Sequence, residues 1–375
     1  MKKTLLITFC MILALLPTAC SSHDDEPVDT LPVRTVLVYM AANNSLGLCD
    51  YDKSDLSEMR TAALRGQLGN ARWLVYHHPY NGEASLLELT ADGEFRTLVE
   101  YTDGKLSVSQ ERMSRVLDDT RRLAPAADYG LVLWSHASGW LENGITESRQ
   151  RSFGIDNGRY MNITTLAETI KPMGFSFIYA DCCNMACVEV AYQLRDCADY
   201  FVASAAELPA KGMDYSLNMG LLTSPQPDLI GAARNTFNIY APFNDQRGNS
   251  WCTMSVIYLP MMEELARATD AIYRSGSFPK NFEPQSFTGG YNYYSDLTQF
   301  VEQTASQPEL FENWKSVMNR TVLYQAATPY ITGAIPVKTH CGLTTYIQNS
   351  KSDNTMRNYN RLDWYNDVAC HQPLP

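Results

Sequence analysis

Residues Phe175–Tyr192 read F-S-F-I-Y-A-D-C-C-N-M-A-C-V-E-V-A-Y. Phe175 to Tyr179 is a short apolar run rich in aromatic residues, bounded by Gly174 and by the polar Asp181. A run of that length fits a strand of a parallel sheet buried on both faces. From Asn184 the period changes. Met185, Val188, Ala191, Tyr192 and Arg195 recur at helical spacing, which predicts a helix to about Asp196. The order strand, sharp turn, helix points to an α/β fold. Asp181, Cys182 and Cys183 fall in the turn, at the edge where open α/β sheets form their binding crevices. A thiol at the start of a helix also has its thiolate favoured by the helix dipole.

A thiol nucleophile needs a base or an ion-pair partner. The candidate is His136, in L-V-L-W-S-H-A-S-G-W (Leu131–Trp140). Leu131–Trp134 is a second apolar run of strand length, and His136 follows it ahead of a small-residue turn. If the two strands are neighbours in one parallel sheet, imidazole and thiol meet at its edge. The 47 residues from His136 to Cys183 (183 − 136) suit a strand–crossover–strand unit. His340 beside Cys341 lacks the strand-then-turn setting and reads as structural.

These blocks carry a family resemblance. R-T-V-L-V-Y-M-A-A-N-N-S-L (Arg34–Leu46) with D-L-S-E-M (Asp55–Met59) resembles the opening strand and first helix of the clostripain family of cysteine peptidases, relatives of caspases and gingipains. L-V-L-W-S-H-A-S-G-W resembles that family's histidine block, usually W-x-H-G-G-G-W, and D-C-C-N-M-A its cysteine block, usually D-A-C-L-M. V-A-S-A-A-E, Y-S-D-L-T-Q-F and C-G-L-T-T-Y-I resemble later segments. The resemblance implies a caspase-like three-layer α/β/α sandwich with a mostly parallel sheet over residues 34–241. A smaller helical and mixed C-terminal region, 242–375, would pack on it. It also implies that His136 is the catalytic histidine and Cys183 the nucleophile, with Cys182 where the family usually has alanine. The His-to-Cys offset is close to the roughly 50 residues of caspases. The backbone N–H groups of Ala137, Ser138 and Cys183 would then form the oxyanion hole. Ala137 and Ser138 replace two family glycines.

The same resemblance places a substrate-pocket wall at Ala205–Tyr215, A-A-E-L-P-A-K-G-M-D-Y. Relatives that cut after arginine or lysine resemble P-G-D-G-W there, so Lys211 stands in place of an acidic residue and Met213 in place of tryptophan. A lysine in a pocket repels a cationic side chain. Asp181, Glu207 and Asp214 remain as acidic candidates for the wall, with Lys211 and Met213 as its altered members. Side-chain preference is therefore expected to depart from Arg/Lys if Lys211 enters the pocket.

The 375 residues are 45% apolar and 19% charged, which describes a globular chain with a large core. A net charge of −11 argues against nucleic acid and anionic membrane surfaces as partners. Met1–Cys20 has Lys2 and Lys3, an apolar Leu5–Leu16 core too short to span a bilayer, and L-P-T-A-C. That ending resembles a bacterial lipobox with Cys20 the lipidated residue. Residues 21–33 are acidic and aperiodic, a tether between anchor and domain. The resemblance to Bacteroidetes lipoproteins implies a secreted, surface-anchored or outer-membrane protein, monomeric and touching membrane only through lipid.

Leu141–Asn162 is polar and Gly-rich and predicts a mobile loop beside the site. Clostripain relatives are often self-cleaved in this region, which makes Arg149 and Arg151 candidate cut points. Asp156 in G-I-D-N-G invites calcium, but no EF-hand spacing supports it. Cys182, Cys183, Cys187 and Cys197 lack paired C-x-x-C spacing, so neither a metal nor an organic cofactor is expected. The function expected is a cysteine endopeptidase acting on proteins or peptides. The rival expectation is a catalytically impaired surface binding protein on the same scaffold.

Overall fold

In the computed structural model the described residues are 31–141, 152–278, 282–289, 293–348 and 359–368. The leader, Cys20, Arg149 and Arg151 lie outside them. Residues Pro32–Pro375 form one compact unit.

The apolar runs become parallel strands. β1 (Arg34–Ala41) pairs in parallel with β2 (Ala71–His78) on one side and with β5 (Tyr129–Trp134) on the other. β8 (Phe175–Asp181) pairs in parallel with β5 and with β9 (Ala198–Ala203). Antiparallel strands finish both edges. The hairpin β3 (Ala84–Leu89) and β4 (Phe95–Tyr101) continues from β2, and β10 (Thr253–Tyr258) and β12 (Val322–Ala327) continue from β9. The nine-stranded order is β12-β10-β9-β8-β5-β1-β2-β3-β4. β10 and β12 belong to this sheet, so the sheet crosses the domain boundary expected at residue 241.

Alternate strand residues point to opposite faces, and each face has its own core. Leu37, Tyr39, Leu131, Leu133, Ile178 and Ala180 pack beneath α3 (Gln110–Leu123), α4 (Ile163–Ile170), α5 (Val188–Gln193) and α8 (Met262–Ser275). Val36, Val38, Met40, Val132, Phe177 and Tyr179 pack beneath α2 (Tyr51–Leu64), α6 (Tyr215–Thr223) and α7 (Leu229–Tyr240). The molecule is thus a three-layer α/β/α sandwich.

Two local readings change. The helix expected from Asn184 begins only at Val188. Asn184 has a left-handed backbone (φ 57°), its N–H donates to Ala206 O (2.9 Å), and the Ala186 N–H donates to Ser204 O (2.9 Å). These bonds pin the loop to the end of β9. In the expected mobile loop, β6 (Phe153–Asp156) and β7 (Arg159–Met161) form a hairpin whose first strand is buried and whose turn is exposed.

The C-terminal segment is stitched to the cysteine loop. Thr344 N–H donates to Ala186 O (3.0 Å), and Glu189 Oε1 accepts from Tyr346 N–H (2.9 Å), Thr345 Oγ1 (2.9 Å) and Tyr359 Oη (3.1 Å). Burial pushes the Glu189 carboxyl from 4.5 up to about 7, against those hydrogen bonds, which lower it. The native state therefore holds a proton that the unfolded chain has already released, and the stability Glu189 contributes is lost as pH rises through the window from 4.5 to about 7. Glu189→Gln keeps an acceptor without the charge. Relative to wild type it should gain up to ~3 kcal/mol between about pH 5 and pH 8 in urea unfolding. A difference that does not vary with pH would exclude this role for Glu189.

Candidate active site

Register brings the two chemical loops together. Trp134 at the end of β5 pairs with Asp181 at the end of β8. His136 and Cys183 each lie two residues further on, so they leave the sheet at the same level on neighbouring parallel strands. Strand alternation separates the two cysteines. Cys182 is buried in the α3/α5 core, with its thiol toward Leu133 O (3.6 Å). Cys183 is half-buried, packs on the opposite core and lines a cavity of about 730 Å³ together with His136.

The histidine loop is fixed from three sides. His136 O accepts from Gly154 N–H (2.8 Å), and Ser138 N–H donates to Ser152 O (3.2 Å), both from the β6 segment. Tyr294 Oη donates to Ser138 O (2.6 Å). Gly139 has φ +57°, and a Cβ there would lie 2.4 Å from Asn184 O and 3.0 Å from Cys187 Sγ. Only glycine lets the histidine loop pack this closely on the cysteine loop. On the imidazole itself, Ser45 Oγ lies 2.8 Å from Nε2.

Of the three oxyanion donors expected, Ser138 is already engaged by Ser152. The N–H groups of Ala137 and Cys183 make no hydrogen bond among the described residues. The short β6 hairpin, hidden in a polar stretch, is what takes the Ser138 donor away.

Cys183 does not sit at a helix N-terminus, because α5 starts five residues later. Leu208 N–H donates to Sγ (3.3 Å), and the thiol points back to Leu208 O at 3.6 Å. Burial pushes the thiol up to about 12. The Leu208 contact opposes that rise, and the charges of Glu207 and Asp181 add to it. The helix-dipole assistance expected from sequence is therefore replaced by the opposite tendency, and ionisation depends on a cationic partner.

The cavity wall is acidic. Asp181 is buried at the cavity and accepts from Met213 N–H (3.0 Å) and Tyr215 Oη (3.2 Å). Burial raises it to about 7 against those two bonds. Gly212 lies over it, where a Cβ would come within 2.5 Å of Oδ1. Glu207, Leu208, Pro209 and Ala210 complete the wall. Lys211, Met213 and Asp214 lie outside the lining. Lys211 Nζ is directed to Glu58 Oε1 (3.6 Å) and Asp214 Oδ2 (3.9 Å). Met213 is fully buried in the α6/α7 core, and Asp214 caps α6 by accepting from Ser216 N–H (2.9 Å).

Asp156 is engaged within the protein: it accepts from Asn43 Nδ2 (2.9 Å) and Ser107 N–H (2.6 Å), with His78 Nδ1 at 3.0 Å. Among the described residues no group of three His, Cys, Asp or Glu side chains is placed to hold a metal ion. Cys182, Cys183, Cys187 and Cys197 are free thiols. Sequence reading missed Ser45, Leu208 and Tyr294. Ser45 comes four residues after the end of β1, at the same sheet edge where His136 and Cys183 follow β5 and β8, and that shared edge was its signal.

The family sequence model described as the clostripain family matches residues 38–374. Among solved structures, an inactive zymogen of a C11 protease from Parabacteroides distasonis is 30% identical, with TM-score 0.80, over 91% of this chain and 99% of that one. A secreted C11 cysteine protease from Bacteroides thetaiotaomicron, solved in complex with an irreversible peptide inhibitor, is 27% identical, with TM-score 0.77, over 89% and 98% of the two chains. A search of curated proteins found no match.

Because Glu207 raises the Cys183 pKa, Glu207→Gln should lower it. The rate of iodoacetamide labelling of Cys183 near neutral pH, read by mass spectrometry, should rise several-fold. An unchanged rate would show that the Glu207 charge does not act on the thiol.

Proposed function

This chain belongs to the clostripain family of cysteine proteases, and we propose that it is an endopeptidase working through a Cys183–His136 dyad on proteins or peptides carrying a basic side chain before the cut. The observation that carries this reading is the pair of in-register strand ends. They deliver a histidine and a cysteine to one acidic cavity. The peptide inhibitor held by the B. thetaiotaomicron relative supports a peptide as the substrate class.

In the proposed reaction, the Cys183 thiolate attacks the peptide carbonyl while the His136 imidazolium balances its charge. The N–H groups of Cys183 and Ala137 receive the oxyanion. The imidazolium gives its proton to the leaving amine as the C–N bond breaks, leaving a thioester on Cys183. Water, deprotonated by His136, then releases the acid and restores thiol and imidazole. No cofactor enters any step. The basic side chain of the substrate sits against Asp181, with Glu207 at the wall. Lys211 does not oppose it, because its ammonium is held by Glu58 and Asp214 outside the cavity. A cation entering also favours ionisation of Asp181, which otherwise titrates at about 7.

The relative described as secreted supports export of this chain. The leader, with Cys20 as the lipidated residue, makes the exported protein a surface lipoprotein in this reading. The rival reading, an impaired enzyme that binds without cutting, draws on the raised Cys183 thiol.

A peptide panel varied at the residue before the cut tests both. Wild type should cleave after Arg or Lys, and Cys183→Ala should abolish turnover. Asp181→Asn should lower kcat/KM for basic peptides by roughly 30-fold or more, as for loss of one partner of a desolvated charge pair. Lys211→Ala should leave the preference unchanged. Cleavage confined to neutral or acidic residues would overturn the specificity. No Cys183-dependent cleavage of any peptide would select the binding protein.

A further inference from the structure

We propose that Ser45 is a positioning residue for His136: its hydroxyl accepts from Nε2–H, so that Nδ1 carries the proton exchanged with Cys183 and the leaving amine. The inference rests on the dyad proposed above and adds which nitrogen works and what holds the ring.

The geometry begins with the 2.8 Å contact between Ser45 Oγ and His136 Nε2. A chance contact would come from a loose side chain on a loose loop, but the loop that carries Ser45 is anchored. Asn44, the residue before it, is buried. Its Nδ2 donates to Ala41 O (2.8 Å) and Ile155 O (2.9 Å) and approaches Ser135 Oγ (3.2 Å), while its Oδ1 accepts from Leu46 N–H (2.9 Å). One side chain thus ties the end of β1 to the residue before His136 and to the hairpin behind it. Gly47 tightens the same turn, since a Cβ there would lie 2.0 Å from Ala42 O. The backbone of His136 is fixed by the Gly154 bond, so only its side-chain torsions remain to be set. The Ser45 hydroxyl, 2.8 Å from Nε2, bears directly on them.

The location has a topological reason. β1 is flanked by β2 on one side and β5 on the other, so successive connections diverge at the β1/β5 gap. The loops leaving β1 and β5 separate there and leave a crevice. Ser45 and His136 face each other across that crevice, and Cys183 comes from the next strand over.

Chemically, an imidazolium has two N–H donors. With Nε2–H directed to a hydroxyl oxygen, the charged ring gains an acceptor, and Nδ1–H is directed to the thiolate and then to the departing amine. In acylation the Nδ1 proton moves to the amine nitrogen as the C–N bond breaks. In deacylation Nδ1 takes a proton from water, whose oxygen bonds to the acyl carbon as the C–S bond breaks. The hydroxyl keeps its own proton throughout. The titratable side chains lining the same cavity are Asp181, Cys182, Cys183, Glu207, Tyr293 and Tyr294, and their charges act equally on wild type and on a Ser45 variant.

Ser45 is exposed, so its substitution should not disturb folding. The test compares wild type, Ser45→Ala and Ser45→Thr. Two readouts are used: kcat and KM on a basic peptide, and the pH dependence of Cys183 labelling by iodoacetamide, which needs no turnover. In Ser45→Ala, kcat should fall roughly tenfold to a hundredfold with KM unchanged, the loss expected for one hydrogen bond to a charged group. The pH window of fast labelling should narrow from both sides, because the imidazolium is less favoured and the thiolate loses its partner. Ser45→Thr should restore both. A labelling window and kcat in Ser45→Ala identical to wild type would overturn the assignment. A window that narrows while no variant cleaves any peptide would keep the Ser45 role and defeat the peptidase reading instead.

Discussion

The pairing of Trp134 with Asp181 across two parallel strands sets the height at which His136 and Cys183 leave the sheet. Parallel ladders fix register along their whole length, and a slip of one residue would turn every side chain to the other face. Such a slip would turn the Cys183 side chain into the core where Cys182 now packs and the Cys182 side chain toward the opposite core. The buried apolar residues of β5 and β8, divided between two separate cores, forbid it. Which of the two cysteines packs on the His136 side of the sheet edge is therefore a consequence of core packing on both faces of the sheet.

The same burial shapes the charges behind the cavity. α2 turns Asp52 and Asp55 inward, while Leu64 is 67% exposed. Asp52 lies 2.7 Å from His77 Nε2, and Asp55 accepts from Trp134 Nε1 at 2.6 Å. Burial, with the charge of Asp181 adding to it, pushes Asp55 up to about 9, against the Trp134 bond. Asp55 therefore stays protonated near neutral pH while Asp181 lies near its midpoint. The Asp181 charge opposes ionisation of Asp55, and the carboxyl lining the cavity is the easier of the two to ionise.

Much of this was legible in the chain. Buried strands announce themselves as apolar runs, and residues just past them sit at the sheet edge whatever the surroundings. That logic put His136 and the Cys182–Cys183 turn at one sheet edge, where the structure has them, and the family blocks singled out Cys183 as the expected nucleophile. What local pattern could not supply was partner choice. Lys211 reads as a pocket residue until Glu58, more than a hundred residues away, is seen to hold it. Helical spacing after Asn184 was real, but bonds to Ser204 and Ala206 outcompeted the first turn of a helix. β6 hid in a polar stretch because its backbone bonds go to Asn44 and the histidine loop, not to a long ladder. β12 follows α10 (Pro308–Thr321) without a break, so no turn residue marks where helix gives way to strand.

The cavity does little to ionise Cys183. Buried surroundings, Glu207 and Asp181 all favour the neutral thiol, and no helix of any length begins at Cys183. An ion pair must then come from one imidazole, and its strength depends steeply on where that ring lies. This accounts for the density of constraint on the histidine loop: a glycine wedged against Asn184, hairpin bonds on both sides of Ala137, a tyrosine on Ser138, and Asn44 binding Ser135 to β1. A site with a thiol already activated could tolerate a looser histidine. In the proposed dyad a fixed His136 offsets surroundings that disfavour the thiolate.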